Sequence, residues 1–451
     1  VDTEAVGMMG HSLGAEMAYK IAIQDEYVKA LVISGFGYTL EASSTRPPNM
    51  LMIIGKWDEY RERMTGVQDI VKEWMDTPQT QQAIPVDNPQ IGKTYGDFGE
   101  GTARRVYIPN TIHVQEAHHK GAIAEAVDWM KNALNPPEKH WINLENQIWA
   151  IKEWSTLVAM LACFAALIPL GELLLHTKFF SVLKNRASGK YASTGKEYFK
   201  LALINSGLMW LYLPLIFVLF GLHVYVIPID KLFPMMMVNG TVWWFMWINV
   251  IGFLLFRRWY KRKKEEGLTL EDLGVSYQED GFSLNGVEIG KTALLGLILF
   301  AFAYLSQYLL EKFFIVDFRF IFPFASDLTP YRWGMFLLYF PFFLIGFIFL
   351  GFFLHGQMRR PHKTPLGKTF ASWTFFNILV MVLPLLLFLM IQYIPLFTIG
   401  IVPLVGPGGM LASFTMNLFH MIGVLLMIIP LSTWFYLRTG RPYLGALNNA
   451  A

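Results

Sequence analysis

The chain has 451 residues, of which 54% are hydrophobic and only 16% charged, with a mean hydropathy of +0.38. Soluble globular proteins carry about 25% charged residues, so this composition excludes a wholly soluble enzyme, a disordered chain and a collagen-like fibre. The 37 basic and 34 acidic residues nearly cancel, and no basic stripe interleaved with aromatics stands out, so no nucleic-acid partner is expected. The single cysteine, Cys163, lies in an apolar run, which excludes a disulfide framework and a cysteine-based metal site.

In chain order, residues 1–137 read as soluble α/β sequence and residues 155–437 as membrane sequence. Pro136 and Pro137 mark the break. Over 138–154, Trp141, Ile142, Leu144, Ile148, Trp149 and Trp154 interleave with Glu145, Lys152 and Glu153, a pattern that suits an interfacial helix or a plain linker helix. Seven apolar runs of about 20 residues follow, the length that spans a bilayer core. They cover 156–175, 201–227, 235–256, 292–311, 334–354, 370–392 and 411–436. An eighth stretch, 395–405, is too short to span and precedes Gly406-Pro407-Gly408-Gly409; it reads as a re-entrant or surface loop. Residues 438–451 read as a tail, and 267–274 as a small helix within a loop.

Every second connecting segment is basic. Lys178 to Lys200 after the first run, Arg257 to Lys264 after the third, Arg359 to Lys368 after the fifth, and Arg438 and Arg441 after the seventh hold most of the cations of residues 155–451. The intervening segments carry Asp230 and Lys231, then a mixed set including Glu311, Asp317, Arg319, Asp327 and Arg332, then no charge from Ile391 to Met410. Lys and Arg concentrate in cytoplasmic loops, so the pattern predicts a multi-pass cell-membrane protein with a cytoplasmic C-terminus and residues 1–150 extracytoplasmic. Within the runs, Glu172, His176, Asn205, Asn249, Gln307, Asn377, Asn417 and His420 are the polar positions. Such groups are functional candidates by default, although interhelical hydrogen bonding explains Asn417 and His420 at least as well.

The soluble part holds the chemistry. An apolar strand at 5–9 leads into Gly10-His11-Ser12-Leu13-Gly14, and a helix is predicted over 15–23. Strand, G-x-S-x-G and helix form a nucleophile elbow, in which Ser12 occupies a strained corner and small residues at Gly10 and Gly14 avoid clashes. Further strands are predicted at 29–35, 49–55 and 105–109. The second of these ends in Gly55-Lys56-Trp57-Asp58, and the third is followed by His113 and an amphipathic helix over 120–134. A helix near 66–75 and a polar loop over 76–101 fill the interval, either capping the site or decorating the surface. Glu59 competes with Asp58 for the acid position, and His118 and His119 compete with His113 for the base. No metal-ligand spacing is recognised, so no metal or other cofactor is expected.

The order Ser, Asp, His, each beyond a strand, matches the α/β-hydrolase arrangement. Residues 1–134 resemble the C-terminal half of that family, nearest its dienelactone-hydrolase and prolyl-oligopeptidase-like branch. The resemblance rests on Val1-Asp2 before the elbow, Gly-x-x-Asp after a strand, and a histidine sixteen residues before Trp129 in the last helix. It implies an α/β fold with a partial hydrolase sheet and flanking helices, followed by an all-α transmembrane bundle of about seven helices. It also implies Ser12 as nucleophile, His113 as general base and then acid, Asp58 as the group orienting the imidazole, and the Leu13 N–H as one oxyanion donor worth about 3 kcal/mol. The chain begins just ahead of the elbow strand, so the resemblance places the family's earlier strands and second oxyanion donor upstream, in a longer protein of which this chain is a fragment.

The sequence thus predicts a membrane-anchored serine hydrolase acting on a small-molecule or lipid-like acyl substrate, with the bilayer as its other partner. A peptide substrate, an acyltransferase, and a transporter or sensor with a hydrolase-like binding domain remain as alternatives.

Overall fold

The computed structural model describes residues 5–320, 324–325 and 328–451; Val1, Asp2 and Asp327, used in the sequence reading, lie outside them. The chain forms two compact units: Val1–Lys152 with Met390–Met416, and Glu153–Leu389 with Asn417–Ala451.

In the first unit, β1 (Val6–His11), β2 (Val28–Ser34), β3 (Met50–Ile53) and β4 (Arg104–Tyr107) form a parallel sheet in the order β1-β2-β3-β4. β3 is buried throughout and β2 at every position but Lys29, as parallel strands covered on both faces should be. Alternate side chains divide between two layers. Leu31, Ile33, Met50, Met52 and Val106 meet Ala15, Ala18 and Ala22 of α1 (Leu13–Gln24) on one face. Val32, Leu51 and Ile53 meet Ala122, Ala126 and Trp129 of α5 (Lys120–Leu134) on the other. Trp129 is fully buried, and its indole N–H donates to the Asn49 carbonyl at 2.7 Å.

The interval between β3 and β4 is more structured than expected. Instead of one helix near 66–75 it holds α2 (Arg61–Thr65), α3 (Ile70–Glu73), a 3₁₀ turn at Trp74–Asp76 and α4 (Pro78–Ala83). Gly66, at φ 81°, ends α2, and the Asp69 carboxylate accepts from the Lys72 amide to start α3. Trp74, Met75, Ala83 and Ile84 bury in the core beside α1, so the insertion is a packed part of the unit.

The predicted helix over 138–154 forms only from Trp149 onward. After one 3₁₀ turn at Glu138–His140, the Asn143 side chain accepts from the Glu145 amide and Gln147 donates to the Leu144 carbonyl, local bonding that competes with a helix. Residues from Trp149 onward open the first long helix instead.

Seven helical segments are long and apolar enough to cross a membrane, as in a multi-pass membrane protein. They are α6 (Trp149–Leu175); α7 (Gly195–Trp210) with α8 (Tyr212–Tyr225); α9 (Met236–Glu265); α10 (Gly286–Phe314); α11 (Pro330–Gly351), which continues as a π-turn at Phe352–Gln357; α12 (Leu366–Ile399); and α13 (Met410–Thr439). The break at Leu211 lies just ahead of Pro214, whose ring clashes with the carbonyl four residues earlier and which donates no N–H. A short hairpin, β5 (Phe318–Arg319) with β6 (Phe324–Ala325), lies between α10 and α11.

Three further expectations are corrected. Residues 395–399 complete α12, and Gly400, at φ 72° with its amide on the Leu396 carbonyl, closes the helix; the turn begins only there. Residues 267–274 form turns, because the Asp272 carboxylate binds the Thr269 amide and hydroxyl and Gly274 adopts φ 79°. Residues 438–451 are no free tail. α14 (Tyr443–Ala450) packs against α10 and α11 with Tyr443, Leu444 and Ala446 buried, and Arg438 pairs with Glu172.

Three of the polar residues of the second unit bond between helices. Asn205 donates to the Val380 carbonyl at 2.9 Å, Asn377 to Thr433 Oγ1 at 3.3 Å, and Asn417 to Tyr212 and Thr241 at 3.2 and 3.1 Å. Asn249 donates within its own helix, to the Phe245 carbonyl, and Gln307 to the Glu311 carboxylate. His176 lies 3.4 Å from Glu172.

Candidate active site

Parallel strands bring their C-terminal ends to one edge of the sheet, where α/β proteins build their sites. β1 ends at His11, and Ser12 follows at φ 54°, ψ −122°, a conformation a side-chain-bearing residue holds only when its surroundings enforce it. Here the Ser12 amide donates to the Ser34 carbonyl at 2.8 Å, and the Ser12 carbonyl accepts from the amides of Ala15 and Glu16 at 3.0 and 3.1 Å. A Cβ on Gly10 would lie 2.3 Å from the Gly14 carbonyl oxygen, so the turn closes only over glycine; a Cβ on Gly14 would meet nothing within 4 Å. The Leu13 N–H, at the first helical position, has no earlier carbonyl in its own helix to bond, and the Leu13 side chain is exposed.

Asp58 follows β3 and His113 follows β4, both buried. Ser12 Oγ lies 2.9 Å from His113 Nε2, and His113 Nδ1 lies 2.8 Å from Asp58 Oδ2. A carboxylate on Nδ1 selects the tautomer with its proton there, leaving Nε2 to accept from the serine hydroxyl. The other Asp58 oxygen accepts from the Tyr60 amide at 2.6 Å. Burial by itself would raise the Asp58 pKa and lower that of His113. Their mutual attraction and hydrogen bond outweigh it, holding the Asp58 carboxyl below its ordinary range and the His113 imidazole above its usual 6.5.

The competing residues lie elsewhere. Glu59 accepts the backbone N–H of His113 at 3.1 Å and the hydroxyl of Tyr393, and burial, then the Asp58 charge, raise its pKa. His119 Nδ1 accepts from the Ala122 amide and caps α5, while the His118 ring meets Trp149 edge-on. His11 Nε2 lies 3.0 Å from the His113 carbonyl. Since a carbonyl only accepts, that nitrogen carries the proton, and burial together with the neighbouring His113 lowers the His11 pKa to about 4.

Two groups that the sequence did not single out complete the surroundings. Glu116, fully buried, accepts the Gly55 amide at 2.5 Å and the Ser34 hydroxyl at 3.2 Å, and stands 3.3 Å from His11 Nε2. Burial and the Asp58 charge push its carboxyl well up, favouring the protonated form. No local signal marks it, because His-Val-Gln-Glu-Ala-His reads as an exposed polar turn. The second group is the segment Met390–Met416, which belongs to the same compact unit. Tyr393 holds Glu59, Ser413 Oγ lies 2.6 Å from the Tyr60 hydroxyl, and Arg61 and Arg63 donate to the carbonyls of Gly400 and Gly408. The Tyr60 ring in turn stands edge-on to His113, with centroids 4.8 Å apart. The stretch that carries Asp58 is therefore gripped by the ends of two apolar helices and the loop joining them.

Among the described residues, His11, His113 and Glu116 bring metal-competent atoms within 4.8 Å of one another. Both His113 nitrogens already serve Ser12 and Asp58, so an ion there would have to break that chain. A cleft of about 580 Å³ is bordered by His11, Ser34 and Glu116 and walled by Met9, Ala126 and Met130. No family model, curated protein or solved structure matches this chain.

Two outcomes are expected in thermal unfolding of the full-length protein in detergent. Gly10→Ala loses about 1–3 kcal/mol by overpacking, whereas Gly14→Ala is neutral or stabilising because alanine is the better helix former; equal effects would contradict the steric assignment. Tyr393→Phe costs about 1–3 kcal/mol by removing a donor from a buried carboxyl, and an unchanged unfolding temperature would contradict that contact.

Proposed function

We propose that this protein is a membrane-anchored serine hydrolase that cleaves an ester or related acyl bond through an acyl-enzyme on Ser12, with an α/β-hydrolase-like site. The observation that carries the reading is the hydrogen-bonded chain Ser12 Oγ, His113 Nε2, His113 Nδ1, Asp58 Oδ2, at 2.9 and 2.8 Å, with Ser12 held at positive φ. Such a chain turns a hydroxyl into a nucleophile.

Ser12 Oγ attacks the acyl carbon while its proton passes to His113 Nε2. The Asp58 carboxylate stabilises the imidazolium and keeps the ring in register. The oxyanion receives the Leu13 N–H, whose position at the start of α1 also favours negative charge. The leaving alkoxide takes the proton from Nε2, giving the alcohol and the acyl-enzyme. Water then attacks the acyl carbon, Nε2 takes its proton and returns it to Ser12, and the carboxylic acid departs. Asp58, whose carboxyl is held below its ordinary range by His113, is the charged partner of His113. Attachment to membrane helices favours a lipid-like acyl substrate. The alternation of basic and non-basic connecting segments supports an extracytoplasmic site and a cytoplasmic C-terminus.

The test treats intact cells expressing the full-length protein with a membrane-impermeant fluorophosphonate, with Ser12→Ala as control. Labelling is expected outside, and it should vanish in the variant. Because His113 must be neutral to act as base and its pKa is raised, the labelling rate should fall as pH drops, with a midpoint above 6.5. Labelling only after lysis would overturn the sidedness. No labelling at any pH in folded protein would overturn the hydrolase reading.

A further inference from the structure

The second unit contains a chamber of about 720 Å³ lined by α7, α9 and the end of α11, within the roughly 300–1,000 Å³ of sites that enclose small molecules. Its walls are apolar, with Leu201, Leu208, Phe245, Ile248, Phe256 and Phe353 among them. Its charged residues lie at one end of those helices. Lys196 and Lys200 are one turn apart on α7, and Arg258 and Arg262 one turn apart on α9, so each helix presents a pair of cations on one face. Among the described residues these four have no carboxylate partner, whereas Lys263 beside them pairs with Glu197 and Glu266 at 3.7 and 2.9 Å. Glu197 is further held by the Trp259 indole at 3.0 Å, so the local acid is engaged and the four cations remain available.

A basic end is common in membrane helices, but here unpaired cations from two helices line one and the same apolar chamber. The matching ligand has a phosphate at one end and hydrocarbon at the other. We propose that this chamber binds an anionic phospholipid, with its phosphate held by Lys200, Arg258 and Arg262 and an acyl chain lying along Leu208, Phe245 and Ile248. Basic pockets between helices recognise such headgroups by charge, and each cation near the headgroup adds to the preference. The chamber also has an unfilled wall, since a Cβ built on Gly252 would meet no atom within 4 Å. The site is independent of the chemistry at Ser12.

The experiment is native mass spectrometry of the purified full-length protein titrated with phosphatidylglycerol or phosphatidylcholine of identical acyl chains, with inorganic phosphate as a competitor. Phosphatidylglycerol should bind at least about tenfold more tightly, and the double substitution Arg258→Gln, Arg262→Gln should abolish that preference. Gly252→Leu, which fills the chamber while leaving every cation in place, should weaken both lipids, and it keeps the proposal testable if the double variant fails to fold. Equal binding of the two lipids, or an unchanged preference in the double variant, would overturn the proposal. Displacement of phosphatidylglycerol by millimolar phosphate would overturn the lipid as occupant in favour of a free phosphate.

Discussion

The turn at Ser12 is the constraint on which the first unit's site depends. A non-glycine residue at positive φ costs of the order of 1–3 kcal/mol, and here the cost is offset by the bond from the Ser12 amide to the end of β2 and by two amides of α1 that close on the Ser12 carbonyl. That geometry needs β1 and α1 to approach so closely that only glycine fits at position 10. In return it lifts Oγ out of the strand direction and sets it 2.9 Å from an imidazole that arrives from a separate strand. The sheet therefore does more than support the site: the parallel register of β1, β2 and β3 with β4 determines that Ser12, Asp58 and His113 end at one edge.

Around that imidazole the structure gathers three buried carboxyls, and their separation into roles follows from their partners. Asp58 faces the ring and a backbone amide, so attraction to His113 outweighs its burial. Burial raises the carboxyls of Glu59 and Glu116, and the nearby Asp58 charge raises them further, since like charges in a low-dielectric interior disfavour one another. Their pKa values rise while that of Asp58 falls. Glu59 is tied to Tyr393 and Glu116 to Gly55 and Ser34, so both also fasten the loops that carry Asp58 and His113. Tyr393 lies in the segment Met390–Met416, which belongs to the same unit as the sheet, so this apolar segment is itself part of the scaffold around the site.

Much of this was legible in the sequence, and the gaps have physical reasons. Apolar runs bounded by glycine mark buried parallel strands, and the period of α5 is clear because one face meets the sheet and the other faces outward. G-x-S-x-G and the spacing to Asp58 and His113 picked out the three residues that the fold brings together. Glu116 escaped because its burial is a tertiary effect; among Gln, His and Ala nothing local distinguishes a core carboxyl from a solvated one. The docking of residues 390–416 escaped because hydropathy reports that a helix is apolar, not what its end touches. α14 was missed for a similar reason: Arg438 and Arg441 read as a charged tail, yet Arg438 pairs with Glu172 and Arg441 donates to the Ser276 carbonyl, which lets the apolar residues after them bury. At 141–148, apolar and polar residues interleave as in an interfacial helix, yet Asn143 and Gln147 hold local turns and the helix starts only at Trp149.

The central claim is that Ser12 carries the acyl group. It is tested most directly by mixing the purified full-length protein with a p-nitrophenyl ester, quenching in acid within milliseconds to seconds, and mapping the acyl adduct by peptide mass spectrometry. The account predicts a transient adduct on Ser12 that forms far more slowly in His113→Ala. An adduct on another residue, or ester turnover that persists unchanged in Ser12→Ala, would contradict it.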